Sequence, residues 1–250
     1  MKRFVLCALG IASITCLQAQ EDTISAERPS ESQSPNLVSK GYLQFEAGIR
    51  KEGSGHDYIL FHPRSTVRYG LSKKLELRLE LDAADEKTYS KQEAAYGLQP
   101  IQVGFKTPLL EENAWVPKTT LLVMAGIPTL AAHAYQVPHV FPLVRLLMEN
   151  KLTDNLELDY NAGTEWDGES TNPRWMFSIE PQLNVGRHWQ VFVEAYGRWQ
   201  QGHGAEHVID AGLGYYISRN VKLDLIAGKG LSHEAPDYFM ATGISFRFRP

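Results

Sequence analysis

The chain has 250 residues, with 25 basic against 29 acidic side chains and a formal net charge of −4 at pH 7. No basic block is present to follow a phosphate backbone, which removes nucleic acid from the partner classes. After the N-terminal run there is no apolar stretch of about twenty residues, which excludes a helical membrane protein. A mean hydropathy of −0.28 still suits a β-barrel, where only alternate residues meet lipid.

Lys2 and Arg3 precede an apolar run from Phe4 to Leu17, short for a membrane helix and suited to a secretory signal. Ala19 is a small residue at the cleavage position, so the mature chain is expected to begin near Gln20, with 23 basic residues facing 29 acidic ones. A lipidated Cys16 is the alternative, disfavoured by Thr15 before it. Cleavage after Ala19 removes Cys7 and Cys16 together, leaving no thiol for a disulfide, a metal site or a nucleophile. Residues 1–19 are therefore read as a signal peptide and 20–40 as a polar, extended periplasmic segment marked by Pro29, Pro35 and several serines. Residues 41–250 form the single remaining domain.

From Gly41 the pattern alternates. Leu75, Leu77, Leu79 and Leu81 interleave with Glu76, Arg78, Glu80 and Asp82, which places all four leucines on one face of a strand and scatters them around a helix. The same period runs through Leu43–Ile49, Leu156–Thr164, Trp189–Ala195 and Val221–Ala227. Such segments span approximately 41–51, 58–69, 75–83, 98–108, 118–127, 140–150, 156–166, 174–185, 189–199, 207–217, 221–229 and 238–248. Most exceed the five or six residues usual in soluble sheets and, tilted by about 40°, cross an apolar band of roughly 25 Å. The expected fold is all-β, a closed antiparallel transmembrane β-barrel of about twelve strands, with ten or fourteen as the neighbouring alternatives. Pro63, Pro142 and Pro181 fall inside proposed strands, where bulges or shifted boundaries are expected.

Connections such as 71–74, 152–155, 186–188 and 218–220 read as tight turns, and 84–97, 128–139, 167–173, 200–206 and 230–237 as longer loops. Short turns at one end and long loops at the other are the outer-membrane pattern, with both termini periplasmic. On the apolar parity, Trp166, Trp175 and Trp199 fall beside the long loops, and Tyr69, Trp189, Tyr215 and Phe248 beside the short turns, as two membrane interfaces would select.

The polar parity faces the lumen. Its candidate residues are Arg50, Arg64, Arg68, Arg78, Glu80, Glu157, Asp159, Glu194 and Arg198. They read either as a charged constriction that selects solutes or as paired side chains that fill a narrow interior. An enzymatic reading would need a Ser–His–acid group at the outer rim. His133, His139, His203, His207 and His233 lie in or near outer loops, with Asp167, Asp210, Asp237 and Ser232 close in sequence, yet no nucleophile motif surrounds any serine. His203 and His207 have metal-like spacing without a helix to present both rings. Gly53-Ser54-Gly55 reads as a hairpin tip rather than a phosphate loop. No cofactor, metal or catalytic residue is expected.

Three stretches carry a family likeness: Glu27-Arg28-Pro29-Ser30-Glu31-Ser32 followed by Gly41–Gly48, the turn Asn150-Lys151-Leu152-Thr153, and the closing Gly228–Ser232 with Ala235–Phe239 and Gly243–Phe248. They resemble the outer-membrane proteins grouped as the meta-pathway phenol-degradation family, often described as transporters. Arg249 and Pro250 after Phe248 depart from the common terminal aromatic. The resemblance implies a porin-like outer-membrane channel for small hydrophobic or aromatic compounds, contacting outer-membrane lipid and the barrel assembly machinery. A structural or surface-binding barrel with no open pore is the alternative, and an outer-membrane hydrolase the less supported one.

Overall fold

The alternating pattern is realised as a ladder of long antiparallel strands in the computed structural model, which describes residues 23–89, 93–113 and 115–250. The expected signal peptide, residues 1–19, lies outside the described residues. The strands are β1 (Leu43–Ser54), β2 (Asp57–Ser72), β3 (Leu75–Thr88), β4 (Glu93–Leu98), β5 (Ile101–Leu110), β6 (Lys118–Ile127), β7 (Phe141–Lys151), β8 (Leu156–Glu165), β9 (Arg174–Val185), β10 (Trp189–Gln200), β11 (Glu206–Ser218), β12 (Val221–Gly230) and β13 (Tyr238–Phe248). Each pairs with its neighbour, and β13 returns to β1 with Leu43 opposite Phe248, closing the sheet. Closure makes the backbone ladder continuous around the described barrel, as a wall facing lipid requires.

β4 and β5 occupy one position in the wall. Ala83–Thr88 of β3 pair with β4, and Glu76–Glu80 of β3 pair with β5. Pro100, which has no N–H to give, sits in the interruption between them. The thirteen elements therefore build a closed barrel of twelve strands. This also corrects the expected loop at 84–97: β3 continues to Thr88, and Tyr58 pairs with Lys87 and Ala84 with Gly97. The alternation is lost in the sequence there because Asp85, Glu86 and Lys87 place charge on both parities of β3.

The two parities face as the sequence implies. Leu223 and Leu225 are exposed while Lys222 and Asp224 are buried, and Ile244 and Phe246 are exposed while Ser245 and Arg247 are buried. Apolar surface thus points outward and charge points inward, the inverse of a soluble core. Trp175 pairs across the strands with Trp199 at one end. Trp189 and Tyr215 meet at the other, ring centroids 4.7 Å apart, near the stacked Phe45, Phe246 and Phe248. Trp166 departs from its expected lipid-facing row. It follows the end of β8, and its indole N–H donates to the Thr171 carbonyl in the loop at 3.2 Å.

Pro63 is accommodated by a register shift on both sides, between Phe61 and Arg64 against β3 and between Gly48 and Arg50 against β1. Pro142 is the second residue of β7, near its boundary. Pro181 lies mid-strand in β9 with its register to β8 unbroken. At the long-loop end, the β6–β7 connection carries two single 3₁₀ turns, Pro128–Leu130 and His133–Tyr135. It is tied to the rim by Ala132 N–H to the Leu98 carbonyl at 2.8 Å and by the Tyr135 hydroxyl to the Ala95 carbonyl at 3.3 Å.

The main departure from the sequence reading concerns residues 23–42. Expected as an extended periplasmic lead-in, they run inside the barrel, with Ile24, Glu27, Ser32, Val38 and Tyr42 all buried. A segment with no hydrophobic period can be buried here because the surrounding wall is itself polar.

Candidate functional site

The interior segment has no secondary structure, so its backbone polar groups need partners from elsewhere. The wall provides them by charge type. Its N–H groups go chiefly to acceptor side chains: Glu27 and Arg28 donate to Glu46 at 2.9 and 3.1 Å, Glu31 and Ser32 to Glu194, and Val38 to Glu76 at 2.7 Å. Gln33 donates to the Asn161 side-chain oxygen at 2.8 Å. Its carbonyls accept chiefly from donor side chains: Ser25 from Arg68 at 2.9 Å, Ser34 from Lys106 at 2.7 Å, Pro35 from Thr120 at 2.7 Å and Arg28 from Lys222 at 3.2 Å. The mixed signs of the lumen are therefore complementary to a peptide threaded through it.

Three side chains of the segment anchor it. The Glu27 carboxylate meets Arg68 at 3.2 Å, Arg78 at 2.7 Å and Lys106. Burial alone would raise its pKa, but the three cations prevail and hold the carboxyl well below the usual carboxylate range. Glu31 meets Arg145 at 3.0 Å and Arg198 at 2.9 Å, and its pKa is likewise lowered against burial, with Arg198 and Arg145 as the principal cations. Arg28 crosses to Asp224 at 3.2 Å. Its guanidinium occupies the space that side chains on Gly48 and Gly243 would fill, and these glycines are paired across β1 and β13. Two glycines in mid-strand otherwise weaken a sheet; here they make room for an arginine.

Within the mixed wall, one basic and one acidic group stand out. Arg64, Arg68, Arg78 and Lys106 lie on β2, β3 and β5. Glu149, Asp159, Glu180, Glu194 and Asp210 lie on the five consecutive strands β7 to β11, with Glu149 opposite Asp159, Asp159 opposite Glu180 and Glu194 opposite Asp210. The segment runs between the two arcs and joins them, Glu27 on the basic side and the Glu31 and Ser32 amides on the acidic side.

Above the segment, toward the long loops, a cavity of about 490 Å³ remains. One panel is apolar, from Leu122 and Met124 on β6, Leu143 on β7, and Tyr135 and Val137 from the overlying loop. The rest carries Arg50, Arg64, Arg78, Arg145 and Arg198 with Glu31, Glu80 and Glu165. Trp166 lines the same cavity, which accounts for its absence from the lipid face. A smaller cavity of about 270 Å³ lies at the short-turn end around Ser34, Asn36, Glu157, Asp159 and Tyr216.

The sequence-derived candidates all lie on inward strand positions, and the structure divides them. Arg68 is fully buried among Glu27, Glu46 and Glu76, and Arg78 between Glu27 and Glu80. Arg50 pairs with Glu52 and stacks over Phe239, 3.8 Å from the ring centroid. Arg198 joins Glu31, Glu165 and Glu206, and Glu194 accepts the Glu31 amide at 3.0 Å. Arg64 is the loosest, 41% exposed and 3.8 Å from Asp82. Glu157, with Lys151 at 3.9 Å, and Asp159 belong to the lower cavity. Across the lumen they meet chiefly through the segment, so Glu27, Arg28, Glu31 and Ser32 are the functional residues that strand periodicity missed. Inward glycines at Gly48 and Gly243 were the available signal.

Among the described residues the loop histidines assemble no Ser–His–acid group. The Ser232 hydroxyl accepts the His207 backbone N–H at 2.9 Å, the Asp237 carboxylate accepts that of Gly55 at 2.7 Å, and the His233 ring is exposed beside Glu234. Nor, among those residues, does any cluster of three or more His, Cys, Asp or Glu side chains form a metal site.

Residues 26–248 match the family described as "Putative MetA-pathway of phenol degradation". The match begins inside the lumen segment and ends on the last strand, so it includes the plugging residues. Among solved structures, the COG4313 outer membrane channel from Pseudomonas putida F1 is similar at a TM-score of 0.67 and 10% identity, covering 88% of this chain and 100% of that one. The NanC porin reaches 0.55 at 10% identity over 82% of this chain and 98% of its own, and the KdgM porin 0.54 at 10% over 83% and 99%. At these identities the likeness establishes the barrel fold. No curated protein sequence matches the chain.

Proposed function

The chain belongs to the phenol-degradation MetA-pathway family, and from that membership we propose that it is an outer-membrane channel for small hydrophobic or aromatic compounds, closed at rest by its own N-terminal segment. The observation that carries the reading is the mouth cavity of about 490 Å³ with an apolar panel of Leu122, Met124 and Leu143, opening above residues 26–36. A monoaromatic ring fits an apolar cavity of about 150 Å³, so the mouth has room for one with several waters. The polar wall below is matched to a peptide, and passage of a solute requires residues 26–36 to leave their place. Each backbone group exposed by that movement meets water or wall side chains, which keeps the rearrangement within reach of a binding event.

The signal peptide cleaved near Ala19, delivery by the barrel assembly machinery and both termini on the periplasmic side belong to the same proposal. The inward arginines and carboxylates named above act in it as the seat of the segment. The filled lumen also favours one further reading, a structural or surface-binding barrel that never opens.

One experiment separates the two. Asymmetric vesicles with a lipopolysaccharide outer leaflet, which slows apolar solutes, are loaded with the refolded protein and challenged with 4-nitrobenzyl alcohol, followed by absorbance. Entry faster than in protein-free vesicles is expected. Equal entry, from protein shown to be folded and inserted, would overturn the channel reading in favour of the closed barrel.

A further inference from the structure

The geometry points to a built-in competitor for solute: we infer that the mouth cavity binds an amphipathic anion, an aromatic ring bearing one carboxylate, and that Glu31 holds the carboxylate position in the resting barrel. This rests on the reading of the barrel as a solute channel and names the class of solute that opens it.

The cavity is two-sided. Its apolar panel is continuous across strands, since Met124 lies opposite Leu143 and Leu122 opposite Arg145. On the other side Met124 pairs with Gly104, and its sulfur fills the space that a side chain there would take. With Glu165 opposite Leu143 at the far end of this row, arginines flank the panel on either side: Arg78 on β3 opposite Gly104, and Arg145 on β7 opposite Leu122 in the adjacent row. Both are at least 95% buried, both line the cavity, and in each the Nε–H has no hydrogen-bond partner. Guanidinium groups so placed recognise a carboxylate through charge-assisted hydrogen bonds.

Glu31 already acts as such a carboxylate. It reaches from the segment so that one of its carboxylate oxygens is shared between Arg145 and Arg198, at 3.0 and 2.9 Å, and it lines the same cavity. It brings the charge but no ring to cover Leu122, Met124 and Leu143. A ligand with both supplies the Arg145 pairing together with apolar burial that Glu31 cannot give, and its carboxylate displaces that of Glu31. Since the Glu31 and Ser32 amides are the segment's hold on Glu194, displacement of Glu31 loosens the segment at its mid-point. The segment is then released by the solute that needs the passage.

Isothermal titration of the refolded full-length barrel in detergent tests this with three probes: benzoate, benzyl alcohol and acetate. Benzoate is expected to bind at least about tenfold more tightly than either of the others, since it alone combines a charge-assisted hydrogen bond with ring burial. In Glu31→Gln, benzoate affinity is expected to rise about tenfold as the competing charge is removed, while in Met124→Gln the advantage of benzoate over acetate falls. Equal affinity for benzoate and benzyl alcohol, equal affinity for benzoate and acetate, or unchanged benzoate affinity in folded Glu31→Gln would each overturn the inference. The probe comparison uses the unaltered protein and decides the matter even if a variant does not fold. Benzoate binding with no passage of 4-nitrobenzyl alcohol even when saturating benzoate is present would refute the channel and leave the site standing; passage without preferential benzoate binding would do the reverse.

Discussion

Replacing Glu27 by glutamine removes the charge at the centre of the basic arc while keeping the size of the side chain. Its carboxylate lies 2.7 Å from Arg78 and 3.2 Å from Arg68, also contacts Lys106, and is only 6% exposed. At an effective dielectric of about 20, each such pair is worth roughly 5 kcal/mol before desolvation, which takes back a large part. Loss of one partner from a buried ion pair costs about 3–5 kcal/mol. Arg68 keeps Glu46 and Glu76 in the variant, so the lower end applies. About 3 kcal/mol moves the ratio of released to seated segment by at least about a hundredfold. Single-channel recording in planar bilayers reads this directly. Wild-type barrels are expected to dwell closed, and Glu27→Gln barrels to show an open-to-closed ratio higher by that factor. Glu169→Gln, an exposed loop carboxylate, serves as the control and should behave as wild type. A folded Glu27→Gln barrel with wild-type dwell times would refute the electrostatic account of the seat.

The same anchors set a pH dependence. Glu27 and Glu31 have lowered pKa values when seated and an ordinary value of 4.5 otherwise. Their contribution is therefore complete above about pH 4.5 and lost as pH falls below it. The wild type minus Glu27→Gln/Glu31→Gln difference in open probability should be flat from about pH 8 to pH 6 and shrink only in acid; a change centred near neutrality would contradict this. Gly48→Val should expel Arg28 from its slot and raise open probability without altering any lumen charge; unchanged gating would mean that Arg28 is not an anchor. On the outer face, Leu225→Arg should cost about 2–4 kcal/mol in denaturant unfolding from lipid vesicles, as expected for a lipid-facing midplane site. No loss there would place Leu225 away from lipid.

The barrel was legible because its wall obeys a period of two over nine or more residues, as in Leu75–Leu81 and Val221–Ala227, and no competing structure buries one parity so consistently. Strand boundaries were found to within a few residues except at 84–97, where Asp85, Glu86 and Lys87 charge both parities of β3 and the period vanishes. The nine lumen candidates were selected by that same parity. Their partners were not. Residues 23–42 have no period, and although Glu27–Ser32 carried the family likeness, nothing in that motif placed Glu27, Glu31 and Ser32 in the lumen. Their burial depends on charges contributed by strands up to 196 positions away, as for Arg28 and Asp224, and no local pattern encodes that. Trp166 was misplaced by the same limit: parity ends with β8, and the loop that follows turns the ring to the mouth.

The central claim is that residues 26–36 close the barrel and must move for solute to pass. The Ser32 hydroxyl donates to that of Ser178 on β9 at 2.8 Å, which places a disulfide within reach if both are replaced by cysteine. From Gln20 onward the native sequence has no cysteine. In the Ser32→Cys/Ser178→Cys barrel, entry of 4-nitrobenzyl alcohol into lipopolysaccharide-containing vesicles should stop on oxidation and return when the bond is reduced. Undiminished entry through the oxidised barrel would show that solute passes without displacing the segment, and would contradict the account.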